Sequence, residues 1–154
     1  MNIQNACFAT LEEYRMEKFA EMRFSDELES LIEFTNDSIA QTPCGVYVWV
    51  IEGEIVRIGS SKEKLRSRIR GAGRWLQHRL QGTAKTKDEI RRQKELADAL
   101  RWKKRLYKTG RHAEVWGRGG TIVRTPIGEI NTYLAEENAL LQRHKPALNN
   151  SHFR

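Results

Sequence analysis

Apolar and polar residues alternate at helical spacing through the first forty positions. Thr10 followed by Leu-Glu-Glu has the form of a capping box, which predicts a helix over residues 10–22. Ser25 precedes a second helical pattern, whose apolar positions are Leu28, Leu31, Ile32 and Phe34. We therefore expect a helical N-terminal extension over residues 1–42, packed on the rest of the chain. The extension is either a dimer interface or a simple packing layer against a sheet.

Two runs of β-branched and aromatic residues flank Glu52-Gly53 and predict a β-hairpin over residues 46–58. A three-residue loop sets Trp49 opposite Arg57 and Val50 opposite Val56. This register gathers one aliphatic face, made of Val46, Val48, Val50, Val56 and Ile58. The opposite face then carries Tyr47, Trp49 and Arg57 together. A two-residue loop would set Val48 opposite Arg57 and mix the two faces, so the first register is favoured.

The second half of the chain predicts three more helices and two short strands. A helix over residues 62–70 is expected to break at Gly71-Ala72-Gly73, and a longer basic helix follows over residues 87–107. Short strands are expected over 111–116 and 121–124. The last helix is expected to begin at Pro126 and to end near His144. This order predicts an α/β (α+β) fold, a small and mainly antiparallel sheet flanked by helices, with its core over residues 43–150.

The last predicted helix carries a carboxylate within its apolar stripe. The stripe consists of Ile127, Ile130, Tyr133, Leu134, Leu140 and Leu141. Glu137 falls in the middle of this stripe, whereas Glu136 falls just off its edge. A carboxylate on a buried face is costly unless a cation or a metal ion accompanies it. Glu137 is therefore either half of a structural ion pair with an arginine under the helix, or a catalytic or metal-binding group.

Charge is distributed unevenly along the 154 residues, whose net charge is +7. Residues 1–61 have a net charge of −7, and residues 62–124 have a net charge of +14 with three tryptophans among them. Such a concentrated basic segment indicates a nucleic-acid partner. No apolar run is long enough to span a bilayer, and the N-terminal residues, which have no basic stretch followed by an apolar one, are not expected to be a secretory signal. With only two cysteines, Cys7 and Cys44, we expect reduced thiols in a cytoplasmic protein.

Four short motifs, in order, resemble those of the GIY-YIG nucleases. Gly45-Val46-Tyr47 precedes Arg57-Ile58-Gly59 by ten residues, and Leu65-x-x-Arg68 follows. Glu137-Asn138 and Lys145-Pro146-x-Leu148-Asn149 resemble the metal-binding and terminal motifs of the family. The resemblance covers about residues 43–149 and is greatest to the small type II restriction endonucleases. Two positions depart from it: Arg57 replaces the second signature tyrosine, and Ala72 stands where many members have histidine.

The resemblance implies a metal-dependent DNA endonuclease that hydrolyses phosphodiester bonds, with sequence specificity of the restriction type. By this resemblance, Tyr47 would orient or deprotonate the attacking water. Arg57 beside it would favour the phenolate form of Tyr47. Arg68 would hold the scissile phosphate, and Asn149 would support the site by a hydrogen bond. Glu137 would bind one Mg²⁺, for which Mn²⁺ can substitute. His78, further along the chain, could replace the missing histidine, although a surface role is favoured.

The basic segment also supplies candidate contacts to double-stranded DNA. These are Arg74, Trp75, His78, Arg79, Lys87, Arg91, Arg101 and Arg118. A palindromic target would require a homodimer, and RNA is a less favoured substrate. One alternative is a mobile-element or repair nuclease of the same fold. A second is a non-cleaving nucleic-acid-binding module on a degenerate nuclease scaffold, which the replacements at Arg57 and Ala72 would suit.

Overall fold

The protein is described here from a computed structural model that covers residues 3–109 and 112–146. Five strands form the main sheet in the order β2-β1-β5-β3-β4, and every neighbouring pair is antiparallel. Two further strands form a separate hairpin. The elements, in chain order, are α1 (Ile3–Glu13), β1 (Glu17–Phe24), β2 (Ser30–Phe34), α2 (Asp37–Ala40), β3 (Gly45–Ile51), β4 (Glu54–Ser61), α3 (Leu65–Gln81), α4 (Glu89–Thr109), β5 (Ala113–Gly119), β6 (Ile122–Thr125), β7 (Gly128–Asn131) and α5 (Tyr133–His144). The predicted α+β class with an antiparallel sheet is confirmed.

Helices cover both faces of the main sheet, because its central strands are apolar on both sides. β3 is buried along its whole length, as expected for a strand between two helical layers. On one face α3 and α4 pack through Leu65, Ile69 and Trp102, among others. On the other face α1 and α5 pack against alternate residues of β3 and β4. No helix among the described residues has the length and apolar character to cross a membrane.

The β3–β4 hairpin confirms the predicted pairing of Trp49 with Arg57, but the loop that produces this pairing differs from the predicted one. The loop contains only two residues, since Ile51 pairs with Glu54 and Val50 pairs with Ile55. A β-bulge then shifts the register by one residue, which restores the opposition of Trp49 and Arg57. The predicted pairing of Val50 with Val56 is therefore wrong. Val56 packs on the face of Tyr47 and Trp49 instead of the aliphatic face, where Ile55 takes its place.

The two helices predicted over residues 10–34 are wrong. Helix α1 ends at Glu13, and the following residues form strands β1 and β2. Thr10 is buried near the end of α1 and contacts His144, so it does not cap a helix. β1 lies between β2 and β5, and its buried positions include Phe19, Ala20 and Met22. Pairing with strands on both sides outweighs the local helical pattern, because strand preference depends on tertiary context.

Helix α3 continues through the glycines that were expected to end it. It runs from Leu65 to Gln81 without a break. A glycine inside a helix costs about 0.5–1 kcal/mol relative to alanine, but Gly73 allows α3 to approach β2 closely. A Cβ atom at Gly73 would lie 2.7 Å from the Cδ1 atom of Ile32. The prediction failed because this long-range contact is invisible in the local sequence.

The predicted last helix begins seven residues later than expected. Pro126 and Ile127 form the turn between β6 and β7, and α5 begins at Tyr133. Ile127, Ile130 and Leu134 are consequently exposed rather than part of a buried stripe. Only Leu140 and Leu141, of the predicted stripe, lie fully in the core. Proline is favoured both at the first position of a helix and in a turn. The sequence at Pro126 therefore predicts the start of a helix, although Pro126 lies in a hairpin turn.

Candidate active site

Tyr47 stands at the centre of the candidate site, on the face of the sheet that α3 covers. Tyr47 is 2% exposed, and its ring lies across Gly59, the residue of β4 that pairs with it. A Cβ atom at position 59 would lie 2.3 Å from the Tyr47 hydroxyl oxygen and 2.4 Å from Cζ. No side chain other than hydrogen fits under the phenol. Gly59 is thus a site residue that the sequence showed only as part of a motif.

Arg68 lies in the first turn of α3, which follows β4 after a short loop. Its guanidinium group donates a hydrogen bond to the hydroxyl of Tyr47. Electrostatic interaction with Tyr47, then this hydrogen bond, and then the carboxylates of Glu137 and Glu63 raise the pKa of Arg68. Partial burial opposes the shift without reversing it. The structure therefore brings two predicted site residues together, Tyr47 and Arg68, and the charge of a third, Glu137, acts on Arg68.

Glu137 and Glu136 are adjacent on α5 but have different surroundings. Glu136 forms an ion pair with Arg118, whose Nη2 atom lies 2.7 Å from the Oε1 atom of Glu136. Glu137 is half-buried, and its side chain forms no hydrogen bond or ion pair with the described residues. An ion pair with an arginine was one of the two possibilities for Glu137. In the structure, Glu136 forms such a pair instead. Glu137 keeps its oxygen atoms available while its charge acts on Arg68.

A cleft of about 600 Å³ opens beside these residues. Its lining residues are Tyr47, Arg57, Glu63, Ser67, Arg68, Gly71, Ala72, Arg74, Trp75 and Arg91. Arg57 lies on the same sheet face as Tyr47, as the register predicted, and its guanidinium carbon is 5.8 Å from the centroid of the Trp75 ring. The guanidinium group that hydrogen-bonds to the Tyr47 hydroxyl belongs to Arg68. Four arginines and one glutamate make the cleft a suitable site for a phosphate-containing ligand.

The candidate DNA contacts divide into cleft residues and residues engaged within the protein. Arg74, Trp75 and Arg91 line the cleft, although Arg91 also pairs with Glu95 at 3.1 Å, and Lys87 is exposed. Arg79 pairs with Glu95 and lies 5.6 Å from the Trp75 ring centroid. The remaining three also have partners: His78 contacts Thr83, Arg101 pairs with Asp98, and Arg118 pairs with Glu136. Asn149 lies outside the described residues.

Glu63 and Ser67 are cleft residues that the sequence did not single out. Glu63 is exposed just before α3, and Ser67 lies in the first turn of that helix, next to Arg68. Glutamate and serine are common near helix N-termini. The sequence therefore gave no indication, apart from their closeness to Arg68 in the chain, that these two residues line a site. Their position at the cleft follows from the direction in which α3 leaves the sheet.

The candidate metal ligand among the residues that the structure describes is the carboxylate of Glu137. Within residues 3–109 and 112–146, no group of three or more histidine, cysteine, aspartate or glutamate side chains could hold a metal ion. The available oxygen atoms of Glu137, near Arg68, fit a metal that retains most of its water ligands. Mg²⁺ is such an ion, because it dehydrates reluctantly and is often bound by one or two carboxylates together with substrate phosphates.

Comparisons with known proteins identify the fold. No protein-family model matches the sequence, and no curated protein sequence does. Among solved structures, a mutant of EndoII from bacteriophage T4 superposes with a TM-score of 0.60 at 19% identity, covering 91% of this chain and 96% of EndoII. The restriction endonuclease HPY188I, in complex with product DNA, gives a TM-score of 0.47 at 17% identity, with 88% and 76% of the two chains covered. The chain has the fold of EndoII.

Proposed function

We propose that the chain is a DNA endonuclease of the GIY-YIG type, which hydrolyses phosphodiester bonds with the help of one Mg²⁺. The observation that carries this proposal is the contact of the Tyr47 hydroxyl with the Arg68 guanidinium in a cleft rich in arginine, where the charge of the Glu137 carboxylate also acts on Arg68. The fold supports it, since EndoII is a phage endonuclease whose length is almost entirely matched. Sequence-specific cleavage of the restriction type is the finer part of the proposal.

Each group has a distinct task in phosphodiester hydrolysis. Arg68 binds the non-bridging oxygens of the scissile phosphate and stabilises the charge that accumulates there. The Tyr47 hydroxyl, oriented by its hydrogen bond from Arg68, accepts a hydrogen bond from the attacking water and directs it at phosphorus. Arg57 adds positive charge in the same cleft. As water adds to phosphorus, it releases a proton to solvent, the bond to the leaving sugar oxygen breaks, and that oxygen takes up a proton from solvent.

Glu137 would hold the metal ion, with Asn149 as a supporting hydrogen-bonding residue. Bound Mg²⁺ supplies positive charge that stabilises negative charge at the phosphate and the leaving oxygen. The carboxylate is suited to this task because no group within the described residues satisfies its oxygens. Arg74, Trp75, Arg91 and Lys87 would contact the flanking duplex from the cleft and its surroundings.

The test is cleavage of supercoiled plasmid DNA with Mg²⁺, compared with the same reaction in EDTA and with the Glu137→Ala variant. Glu129→Ala is the matched control, because Glu129 is an exposed glutamate on the β6–β7 hairpin. We expect discrete fragments from wild type and from Glu129→Ala, and intact plasmid from Glu137→Ala. Binding of all three proteins to DNA should weaken steeply with added salt.

Three other results would contradict parts of the proposal. A smear of fragments that is absent in EDTA and with Glu137→Ala would support metal-dependent hydrolysis of DNA. It would contradict cleavage at a specific sequence. Cleavage by Glu137→Ala at the wild-type rate would remove the metal assignment. Intact plasmid in every reaction, together with salt-sensitive binding, would indicate a non-cleaving module, which the replacements at Arg57 and Ala72 would then explain.

A further inference from the structure

A hydrogen-bonded cluster surrounds Glu136, the residue before Glu137. Its Oε1 atom accepts hydrogen bonds from the Nη2 atom of Arg118 at 2.7 Å, from the hydroxyl of Thr121 at 2.8 Å and from the hydroxyl of Thr132 at 3.1 Å. The side chains of Glu136 and Arg118 are only 15% and 21% exposed. A charge-assisted contact at this depth is stronger than an exposed ion pair, because water screens it less.

The cluster joins three segments that meet at one end of the main sheet. Arg118 belongs to β5, and its Nη1 atom also donates to the carbonyl oxygen of Gly119 at 2.7 Å. Thr121 follows that strand, and Thr132 is the residue directly before α5. The backbone nitrogen of Thr132 donates to the carbonyl oxygen of Thr121 at 2.9 Å, and the backbone nitrogen of Thr121 donates to the hydroxyl oxygen of Thr132 at 3.1 Å. The end of β5 and the beginning of α5 are therefore held together by side chains as well as by backbone.

The same segment is attached to the strand that carries Tyr47. The backbone nitrogen of Gly120 donates to the carbonyl oxygen of Cys44 at 2.7 Å, and Cys44 directly precedes β3. A Cβ atom at Gly120 would lie 2.7 Å from that oxygen, so the approach depends on glycine. The position of α5 relative to Tyr47 is thereby fixed through backbone contacts that end at the Glu136 cluster.

The first turn of α5 has weaker apolar anchoring than the second half of the helix, because Tyr133 packs against the core but is only partly buried. Leu134 is 60% exposed, whereas Leu140 and Leu141 anchor the second half of the helix in the core. Successive helical residues are about 100° apart around the axis. Rotation of the first turn about the helix axis would therefore swing the Glu137 carboxylate away from Arg68. The Glu136 cluster is the polar anchor that opposes this rotation.

We infer that Glu136 and Arg118 are positioning residues, which hold the Glu137 carboxylate toward Arg68 and the metal. This inference rests on the proposed function and assigns Arg118 to the interior of the site rather than to DNA. Partners of this kind orient the ligand that contacts the metal, and their loss typically costs about 10- to 100-fold in metal affinity or activity.

The experiment compares Glu136→Ala, Glu136→Gln and the control Glu129→Gln. Three quantities are measured: the Mg²⁺ dependence of single-turnover DNA cleavage, the Kd for DNA in EDTA, and Mn²⁺ binding to the DNA-free protein by electron paramagnetic resonance. Glu136→Gln retains an oxygen that can accept from Arg118, Thr121 and Thr132, so it should rescue part of the loss. A thermal melt of each variant establishes that it is folded.

We expect Glu136→Ala to weaken Mn²⁺ binding and to raise the half-saturating Mg²⁺ concentration about 10- to 100-fold, with DNA affinity within about twofold of wild type. Glu136→Gln should fall between the two, and Glu129→Gln should match wild type. A folded Glu136→Ala with wild-type metal dependence, or with a loss confined to DNA affinity, overturns the positioning role.

Failure of the proposed function gives a different pattern. In that case the wild type does not cleave DNA with any divalent metal. Equal Mn²⁺ affinity in wild type and Glu136→Ala, or no Mn²⁺ binding by either, then overturns the positioning role as well. Weaker Mn²⁺ binding by Glu136→Ala would retain the positioning role at a metal site with another activity.

Discussion

Replacing Gly59 with alanine tests whether the position of the Tyr47 phenol matters. The added methyl group would lie 2.3 Å from the hydroxyl oxygen of Tyr47 and 2.4 Å from Cζ. Carbon atoms in contact normally lie about 3.5–4.0 Å apart, so the ring must move by more than an ångström or the strands must separate. The ring is enclosed by the core around Trp49 and Leu65, which limits the directions in which it can move.

Both stability and activity should respond to this substitution. Overpacking of this kind typically costs about 1–3 kcal/mol of unfolding free energy, and a misplacement of about 1 Å in a catalytic group costs about 100-fold in rate. Gly59→Ala should therefore be destabilised in urea denaturation and should cleave DNA about 100-fold more slowly under single-turnover conditions. Its DNA affinity should change little, because the methyl group is buried.

A double-mutant cycle with Tyr47→Phe separates the two effects. If Gly59→Ala acts by displacing the Tyr47 hydroxyl, its kinetic effect should largely disappear when that hydroxyl is already absent. The stability cost should persist, since Cζ remains in place. Gly71→Ala serves as the stability control, because nothing lies within 4 Å of its Cβ position and alanine favours the helix. Folded Gly59→Ala with the wild-type rate would refute the role assigned to the Tyr47 hydroxyl.

Two further predictions follow from the contacts of single residues. Arg68→Ala should lower the single-turnover rate at least about 10²–10³-fold, the scale for a lost donor to a transition-state oxyanion, and an unchanged rate would exclude Arg68 as the phosphate ligand. His144 bonds to Thr10 at 3.0 Å, and burial, followed by the charge of Arg143, lowers its pKa below 6.5. The unfolded chain therefore binds this proton more tightly, so the free energy of unfolding should fall as the pH drops below 6.5. Urea denaturation of wild type and His144→Gln at several pH values checks this; equal pH dependence in both would contradict it.

The parts of the fold that local sequence encodes were predictable. The β3–β4 hairpin and helix α4 follow from β-branched runs and helical periodicity over short distances. Arg68 was identified through the resemblance to the GIY-YIG nucleases, whereas the strand register by itself placed Tyr47 on one sheet face with Arg57. The hydrogen bond between Tyr47 and Arg68 then depends only on neighbouring elements.

The errors concern elements whose conformation depends on distant partners. β1 forms a strand because β2 and β5 pair with it, although its own sequence resembles a helix. Gly73 stays within α3 because it packs against Ile32 of β2. The ion pair of Glu136 was not predicted, because its partners Arg118 and Thr121 lie outside α5. In each case the deciding contact joins residues far apart in the chain.

The place of β1 within the sheet also has a consequence for the order in which the chain can fold. Glu17 pairs with Gly117, so the contact closes a loop of about one hundred residues. Such closure is entropically costly and slow, whereas the β3–β4 hairpin needs only its own turn. During synthesis on a ribosome, the β3–β4 hairpin can form before β5 has been made. Until then, one edge of β1 has no strand to pair with. The exposed edge of β1 should therefore be most vulnerable to aggregation before β5 is made. β5 should then complete the sheet, and the Glu136 cluster should form only after α5 follows.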